Sequence, residues 1–337
     1  MMRAWLMDSY EGIGKLRLGE VVDPEPGSGQ VLLRIRYAAL NPADAFLSQA
    51  MYPARPSLPH ILGRDGVGDV LALGAGVESV QVGETVGILR GITGVSAWGT
   101  LAEKTMVPAA DLVPIPEGWS LEQMAGAPLV FLTAWQALTQ WSDPPAPPAG
   151  GSGLLVTGAS GGVGTASVLL GKSMNLTVVA LTRSVEKGAK LKELGADFVF
   201  APDGKTLRDL VKNSIAPKRI DLAVDTVGGP QFNDVVAMLG PGGRISVVGR
   251  SNGVVPEFNT AALFFKRNRI GGVSANDYSA DAAQGVWKQI VGQLNATRRR
   301  PVVDQVFPFE EVKSAFARLA HGPMGKVLVR VLPIAGS

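Results

Sequence analysis

The chain of 337 residues is too long for one ordinary hydrophobic core, and its length indicates two domains. Its 46% hydrophobic and 18% charged residues are typical of a packed globular protein and exclude an intrinsically disordered one. The formal charge of +3 is scattered, without the basic stripe interleaved with aromatic residues that nucleic-acid binding requires, so no nucleic-acid partner is expected.

The amino-terminal part is predicted to be a β-rich domain. Before about residue 125, short β runs alternate with turn-forming Gly and Pro clusters, a spacing typical of an irregular, mostly antiparallel fold. The predicted strands cover 3–7, 31–37, 66–73, 85–89 and 101–107. The uncharged stretch 123–142 follows and is predicted to be a buried helix between the domains, because its Pro, Thr and Gln residues do not suit a membrane span.

From Gly153 onward, strands alternate with helices, a pattern that predicts a parallel, doubly wound sheet. The predicted strands are 154–157, 177–181, 198–200, 222–224, 244–248 and 269–274, with helices between them. Two helices, 281–294 and 309–319, and a strand at 325–331 complete the chain. This last strand has no obvious place in the parallel sheet, so it is expected to rejoin the first domain.

The strongest motif is the glycine turn, defined here as Thr157-Gly158-Ala159-Ser160-Gly161-Gly162-Val163-Gly164. It follows an apolar strand and opens an apolar helix, which is the context that a dinucleotide-binding turn requires. Gly161 lets the backbone approach a pyrophosphate, Gly164 lets the helix pack on its strand, and free N–H groups bind the phosphates. Ala159 replaces the first glycine of the usual fingerprint. The alternative interpretation is a tight turn without a ligand.

The residues after the second strand of this sheet indicate which dinucleotide binds. NAD sites usually place Asp or Glu about 20 residues further on, where it binds the ribose 2′-hydroxyl. This chain has Thr182-Arg183-Ser184 there, with Lys187 one turn later. Arg183 can bind a 2′-phosphate at two points, while Ser184 and Lys187 add a donor and a charge, which favours NADPH over NADH. The alternative is a solvated helix start.

Compartment and membrane association follow from what the sequence lacks. The absence of cysteine excludes disulfides and thiolate metal ligands and fits a reducing compartment. Residues 1–10 lack an apolar run of signal-peptide length, and no longer uncharged stretch resembles a transmembrane helix. We therefore expect a cytoplasmic protein with no membrane partner.

Several motifs together resemble the medium-chain dehydrogenase/reductase superfamily, in particular its zinc-free quinone oxidoreductase and 2-enoyl thioester reductase branches. The resemblance covers nearly the whole chain. Besides the glycine turn, it rests on Asn41-Pro42-Ala43-Asp44, Tyr52-Pro53, the segment 62–68 (Leu-Gly-Arg-Asp-Gly-Val-Gly), Leu132-Thr133-Ala134-Trp135, Leu194-Gly195-Ala196-Asp197, Asp225-Thr226-Val227-Gly228-Gly229 and Pro241-Gly242-Gly243.

The resemblance implies an α/β architecture with a discontinuous catalytic domain. A GroES-like, mostly-β catalytic domain would comprise residues 1–124 and 275–337, and a Rossmann NADP-binding domain with a doubly wound parallel sheet would comprise 125–274. Related enzymes are commonly dimers joined through their nucleotide domains, so a homodimer is expected.

Zinc is not expected. Metal-dependent relatives bind a catalytic zinc through Cys and a Gly-His-Glu segment, where this chain has Gly63-Arg64-Asp65 and no cysteine anywhere. Only His60 and His321 remain, too few for the usual three protein ligands unless carboxylates substitute. His60 is interpreted as a packing or turn residue.

Tyr52 is the best candidate for the group that assists reduction without a metal. Hydride delivery to the β-carbon of an enone places charge on the carbonyl oxygen, and donors aimed at that oxygen lower the barrier. Tyr52 matches the tyrosine proposed as acid or donor in the enoyl reductase branch, and a phenol of ordinary acidity stays protonated at neutral pH. The alternative is an aromatic residue that shapes the pocket or covers the ribose.

The remaining candidate residues rest on weaker signals. Asn41 and Asp44 match the family's active-site segment, where Asn41 could bind substrate or ribose and Asp44 could orient a neighbour, although helix capping alone could explain both. Thr133, in the helix between the domains, resembles the position beside the nicotinamide, and the alternative is a buried helix hydroxyl. Gly249 and Ser274 are predicted to end the fifth and sixth strands at the edge where ligands bind, and are therefore candidate cofactor contacts.

The leading hypothesis is zinc-independent, NADPH-dependent reduction of a quinone or of the C=C bond of an enone or enoyl thioester. The stretch 261–266 resembles the thioester reductases and favours that substrate class slightly. Two alternatives stay open: an NADPH-binding sensor or structural protein with little turnover, and a carbonyl reductase of the alcohol dehydrogenase type.

Overall fold

The chain forms two compact units, and the computed structural model describes residues 1–142, 148–202, 207–254, 257–258 and 260–332. Unit 1 comprises Met1–Leu129, Asn276–Lys288 and Pro301–Ser337, and unit 2 comprises Val130–Ala275 and Gln289–Arg300. Contacts thus assign 289–300 to unit 2, whereas the predicted division places these residues in the GroES-like domain. The predicted domain limits stay a prediction.

Strands account for most of unit 1 and for the sheet of unit 2. In chain order they are β1 (Met2–Met7), β2 (Arg17–Val21), β3 (Gln30–Ala39), β4 (His60–Ile61), β5 (Asp65–Leu73), β6 (Thr85–Ile88), β7 (Lys104–Pro108), β8 (Leu112–Pro114), β9 (Gly153–Val156), β10 (Thr177–Leu181), β11 (Phe198–Phe200), β12 (Ile220–Asp225), β13 (Leu239–Val247), β14 (Arg269–Gly272), β15 (Val303–Pro308) and β16 (Lys326–Arg330).

The helices are α1 (Pro42–Ser48), α2 (Leu121–Gly126), α3 (Pro128–Thr139), α4 (Gly162–Ser173), α5 (Val185–Leu194), α6 (Leu207–Ile215), α7 (Phe232–Met238), α8 (Ala261–Lys266), α9 (Ala280–Ala296) and α10 (Val312–Ala320). Among the described residues, no helix has the length and apolarity needed to cross a membrane.

Unit 1 is built on two mainly antiparallel sheets. The larger has the order β15-β16-β3-β5-β6-β8, with β7 also paired to β3, and the smaller has the order β2-β1-β4. Strand β3 shows why the sequence forms a sheet, since Val31, Leu33 and Ile35 are fully buried while Arg34 and Arg36 between them are exposed. The carboxyl-terminal strand β16 pairs antiparallel with β3, as predicted.

Unit 2 contains the predicted doubly wound sheet. Its six strands have the order β11-β10-β9-β12-β13-β14, and every neighbouring pair is parallel. Strand β9 is buried along its whole length because helices cover both faces of such a sheet. The chain reverses direction of winding between β9 and β12, so the carboxyl ends of these two strands form the edge where ligands bind in this fold.

Two predicted helices differ from the structure, and some strands were missed. The single helix expected over 123–142 is two helices, α2 and α3, because Pro128 has no N–H to continue the first and instead starts the second. The predicted helix 309–319 begins as a short 3₁₀ segment, with α10 starting at Val312. Strands β2 and β15 were not predicted, since neither alternates clearly between buried and exposed side chains.

Candidate active site

The glycine turn connects β9 to α4 with a backbone and a packing that favour glycine at two positions. Gly158 has φ +55°, and a Cβ there would lie 2.4 Å from the Thr226 Oγ1. A Cβ on Gly164 would lie 2.3 Å from the Gly158 carbonyl oxygen, so this glycine is required for α4 to pack against the turn. By contrast, a Cβ on Gly161 would make only a 3.5 Å contact. Gly161 therefore leaves free space on the outer side of the turn, as close approach of a phosphate requires.

The N–H groups of the turn divide into used and available ones. Ala159 donates its N–H to the Leu181 carbonyl oxygen at 3.1 Å, and Gly161 donates to Gly158 at 3.0 Å. Gly161 is the N-cap of α4, so the N–H groups of Gly162, Val163 and Gly164 in the first helical turn have no acceptor within the helix. Ser160 is half-buried beside them. These N–H groups, and not that of Ala159, can bind a pyrophosphate.

A hydrogen-bond network fixes the turn to the neighbouring strand β12. The Thr157 Oγ1 donates to the Asp225 Oδ1 at 2.5 Å, and Thr226 binds Thr157 through both its N–H and its hydroxyl, at 3.0 and 2.9 Å. Asp225 also accepts from the Gly228 N–H at 3.1 Å. The motif 225–229 therefore shapes the edge beside the glycine turn, a function that the sequence did not reveal.

Thr182, Arg183, Ser184 and Lys187 follow β10, the strand paired to β9. Ser184 is the N-cap of α5, and its Oγ accepts from the Lys187 N–H at 3.3 Å. Arg183 is exposed, and no described residue forms an ion pair with it. Capping therefore explains Ser184, whereas an exposed guanidinium without a carboxylate partner remains available to a phosphate.

The other predicted cofactor contacts occupy separate places in unit 2. Gly249 lies two residues beyond the end of β13 and donates its N–H to the Asp225 carbonyl oxygen at 3.4 Å. Ser274 is exposed and lies two residues beyond β14, which ends earlier than predicted. Thr133 is half-buried in α3. A hydrogen bond thus links Gly249 to the network beside the glycine turn.

Unit 1 contains a buried polar cluster formed by Asn41, Asp44, Asp65 and Lys326. The Lys326 Nζ donates to the Asn41 Oδ1 at 2.6 Å and to the Asp65 Oδ2 at 3.1 Å, and the Asn41 Nδ2 donates to the same Asp65 oxygen at 2.9 Å. The Lys326 and Asp65 side chains are only 5% and 2% exposed. Strand β3 pairs with both β5 and β16, which brings residues far apart in the chain together.

Asp44 belongs to this cluster through its contact with Asn41 and lies in the first turn of α1. Its Oδ2 accepts from the Asn41 N–H at 2.8 Å, while no described residue binds its buried Oδ1. Burial raises the pKa of Asp44 to about 6, although the hydrogen bond from Asn41 and the charges of Arg64 and Lys326 oppose that rise. Asn41 and Asp44 therefore combine helix capping with an ionisable group that titrates near neutral pH.

Tyr52 is held by Arg64 and is not bonded to the cluster directly. The Arg64 Nη1 donates to the Tyr52 hydroxyl at 3.0 Å, and its guanidinium carbon lies 5.5 Å from the centre of the Tyr52 ring. The Arg64 Nη2 donates to the Asn276 Oδ1 at 3.2 Å. Two of the predicted residues, Asn41 and Asp44, are thus hydrogen-bonded to each other. The third, Tyr52, is hydrogen-bonded to Arg64 instead.

The residues present do not fit a catalytic zinc. The described part of the chain contains no group of three or more His, Cys, Asp or Glu side chains that could hold a metal ion. His60 is buried in β4, where burial lowers the pKa of its imidazole. His321 caps the end of α10 on the surface, 2.7 Å from the Ala317 carbonyl oxygen. At the segment matching the metal ligands, Arg64 provides a cation where a metal site needs donors.

The comparisons with known proteins agree with this architecture. Residues 27–117 match the model of the alcohol dehydrogenase GroES-like domain, and residues 162–292 match that of the zinc-binding dehydrogenases. The quinone oxidoreductase of Rattus norvegicus is 29% identical over 98% of this chain and 98% of its own, and the human synaptic vesicle membrane protein VAT-1 homolog is 29% identical over 98% and 86%. A solved NAD-dependent alcohol dehydrogenase is 30% identical, covers 98% of this chain and all of its own, and superimposes with a TM-score of 0.90.

The chain therefore belongs to the medium-chain dehydrogenase/reductase superfamily, in its quinone oxidoreductase-like branch. The predicted fold, a GroES-like part and a Rossmann part, is confirmed. As a member of this family, the protein is an oxidoreductase whose parallel sheet binds a nicotinamide dinucleotide.

Sequence reasoning did not identify Arg64, Asp65 and Lys326 as part of the site. Arg64 and Asp65 stand where metal-dependent relatives have His and Glu, which was a usable signal for both. Lys326 carried no signal, since a lysine at the start of a strand is expected to be exposed.

Proposed function

We propose that this protein is a zinc-independent, NADPH-dependent oxidoreductase that reduces quinones or the C=C bond of enones or enoyl thioesters. The observation that carries the reaction is the Tyr52 hydroxyl. It accepts a hydrogen bond from Arg64, while none of the described residues accepts its own proton. A phenol held in this way can donate to the oxygen of a substrate as that oxygen becomes negative.

The proposed cofactor site consists of two parts of unit 2. The first-turn N–H groups of α4 bind the pyrophosphate, and the exposed Arg183 binds the 2′-phosphate that distinguishes NADPH from NADH. The bound cofactor supplies a hydride. Tyr52 supplies the proton for the substrate oxygen, and Asp44, with a pKa of about 6, is a buried carboxyl group that interacts electrostatically with Arg64 and changes its charge around neutral pH.

The test is NADPH oxidation followed at 340 nm against a panel of quinones, enones and enoyl thioesters, with NADH in place of NADPH and a metal chelator as controls. We expect turnover that resists the chelator and prefers NADPH, and the best substrate identifies the branch. Turnover that the chelator abolishes would contradict the proposal.

A second candidate function is favoured by the solved alcohol dehydrogenase that is 30% identical to this chain and is described as NAD-dependent. Reduction of aldehydes with NADH, and oxidation of alcohols with NAD⁺, would identify that chemistry in the same assay. Binding of NADPH without reduction of any compound would instead support the sensor or structural alternative. The homodimer and the cytoplasmic location remain predictions.

A further inference from the structure

Arg64 has an unusual set of partners for a half-buried arginine. Its two measured hydrogen bonds go to neutral acceptors, the Tyr52 hydroxyl at 3.0 Å and the Asn276 Oδ1 at 3.2 Å. Among the described residues, no carboxylate lies within 4.0 Å of its guanidinium, because the adjacent Asp65 is bound by Lys326 and Asn41. The charge of Arg64 is therefore not neutralised by a direct ion pair.

The geometry gives the Arg64–Tyr52 contact a direction. The guanidinium can only donate, so the phenol oxygen must be the acceptor, and the Tyr52 proton has to point away from Arg64. The described part of the chain provides no acceptor for that proton. The ring also lies beneath the guanidinium, at 5.5 Å, which fixes the orientation of the whole side chain.

The donor that binds the Tyr52 oxygen carries a positive charge. A hydrogen bond from a cation strengthens as its acceptor gains negative charge, so the guanidinium stabilises the phenolate that remains after transfer. A contact that only held Tyr52 in place would need the guanidinium over the ring and no hydrogen bond to the hydroxyl. The backbone supports the geometry, since Gly63 has φ +102° and a Cβ there would lie 2.4 Å from the Thr100 Oγ1.

We propose that Arg64 is a positioning residue for proton transfer from Tyr52, an inference that rests on the proposed function. A bound NADPH would supply the hydride that the β-carbon of the substrate accepts. The C=C π pair would then become the double bond between the α-carbon and the carbonyl carbon, and the C=O π pair would move onto the oxygen. The Tyr52 O–H bond breaks, its proton joins that oxygen to form an enol, and Arg64 holds the resulting phenolate until solvent returns a proton.

A double-mutant cycle tests whether Arg64 acts through Tyr52. Arg64→Gln should lower kcat with an enone roughly 10- to 100-fold, the effect of one hydrogen bond to a charged group, with little change in KM. In a Tyr52→Phe background the same substitution should change kcat by less than about threefold, because the shared interaction is already absent. Arg64→Lys keeps the charge and should recover part of the loss. Equal losses in both backgrounds would overturn the inference.

Arg90 provides the matched control. It lines the same cavity of about 10 Å³ as Arg64, Asp65 and Asn276, and no hydrogen bond or ring contact joins it to Tyr52 among the described residues. Arg90 pairs with the buried Asp111 at 3.8 Å, so Arg90→Gln removes an equal charge together with that ion pair, and the folded variant should keep a kcat near the wild-type value. If Arg90→Gln matched Arg64→Gln, the local charge and not the hydrogen bond would be responsible, and the inference would fail.

A second measurement needs neither cofactor nor turnover. The chain has four tyrosines, so ¹³Cζ-tyrosine labelling gives four NMR signals, and Tyr52→Phe identifies the one from Tyr52. In the protein without NADPH, Arg64→Lys and Arg64→Gln should move that signal and leave those of Tyr10, Tyr37 and Tyr278 in place. An unmoved Tyr52 signal would contradict the inference even if the enzyme reduces enones.

The two proposals can fail separately. If no compound is reduced, the proposed function fails while the NMR measurement still tests the Arg64–Tyr52 contact. If enones are reduced and the cycle is additive, the proposed function stands and the inference about Arg64 is wrong.

Discussion

The two candidate sites of the molecule use different chemical groups: mainly backbone N–H groups in unit 2 and buried side chains in unit 1. In unit 2, the glycine turn offers backbone N–H groups and the nearby Arg183 is exposed, so recognition depends on chain conformation and one surface charge. In unit 1, the buried polar cluster consists of side chains from β5, β16 and the start of α1, held together by hydrogen bonds. The residues of a cofactor site can therefore be close together in the sequence, whereas the residues of a buried charged site are brought together only by the topology of the sheet.

The largest expected effect follows from removing the cation of the buried polar cluster. Lys326→Met leaves the buried Asp65 carboxylate without its ion-pair partner, which should lower the free energy of unfolding by about 3–5 kcal/mol. Urea unfolding measures the change. Lys172→Met is the control, because the Lys172–Asp197 pair has a shorter contact, 2.6 Å against 3.1 Å for Lys326–Asp65, but side chains that are 29% and 32% exposed. It should cost at most about 1 kcal/mol, and equal costs would show that burial does not matter here.

The next prediction concerns the pH dependence of the same cluster. The folded pKa of Asp44, about 6, lies above its ordinary value of 3.8, so the folded state holds the proton more tightly than the unfolded state. The resulting stabilisation is complete below pH 3.8 and is lost as the pH rises through about 6. Between pH 3.5 and pH 8 the wild type should lose roughly 3 kcal/mol relative to Asp44→Asn, measured by urea unfolding. A constant difference would contradict the raised pKa.

How much of this was predictable depends on whether a feature is local. Gly164 could be placed because it lies within the glycine turn, and Arg183 because it follows the next strand of the same strand–helix–strand unit. Lys326 lies 285 residues from Asn41, and only the pairing of β3 with β16 brings them together. Pro128 is a third case. A proline inside a helical stretch indicates a break, but the long uncharged stretch around it led to the prediction of one helix.

In unit 2, a pair of glycine substitutions separates folding from phosphate binding. A Cβ on Gly164 would meet backbone atoms of Gly158 and Ala159 at 2.3–2.7 Å, so Gly164→Ala should lower stability by about 1–3 kcal/mol and also abolish tight NADPH binding. The Cβ of Gly161→Ala would lie 3.5 Å from its nearest neighbour, so this variant should keep its thermal midpoint. It should still bind NADPH more weakly, because the Cβ would occupy the space that the phosphate needs.

Differential scanning fluorimetry and NADPH titration measure the two effects. Gly292→Ala is the control, because an exposed helical glycine with no atom within 4 Å of its Cβ position should be stabilised by up to about 1 kcal/mol. Unchanged NADPH affinity in Gly161→Ala would argue against a pyrophosphate at this turn.

The smallest expected effect is on the choice of cofactor. Arg183→Ala should weaken NADPH binding about 10- to 100-fold by removing a charge-assisted contact to the 2′-phosphate, and should leave NADH binding unchanged. Lys190→Ala removes an exposed charge from the same βα segment, where Lys190 pairs with Glu193, and should leave NADPH affinity near that of the wild type. A clear preference of the wild type for NADH would show that the interpretation of Arg183, Ser184 and Lys187 is wrong.

The proposed role of Tyr52 is to supply the proton, a step separate from the binding of the cofactor. The most direct test measures the NADPH Kd and kcat with an enone for Tyr52→Phe, a change that removes one oxygen atom. We predict a fall in kcat of about 100-fold or more, the usual contribution of a general acid, with the NADPH Kd unchanged. A variant that reduces the enone as fast as the wild type would contradict the account.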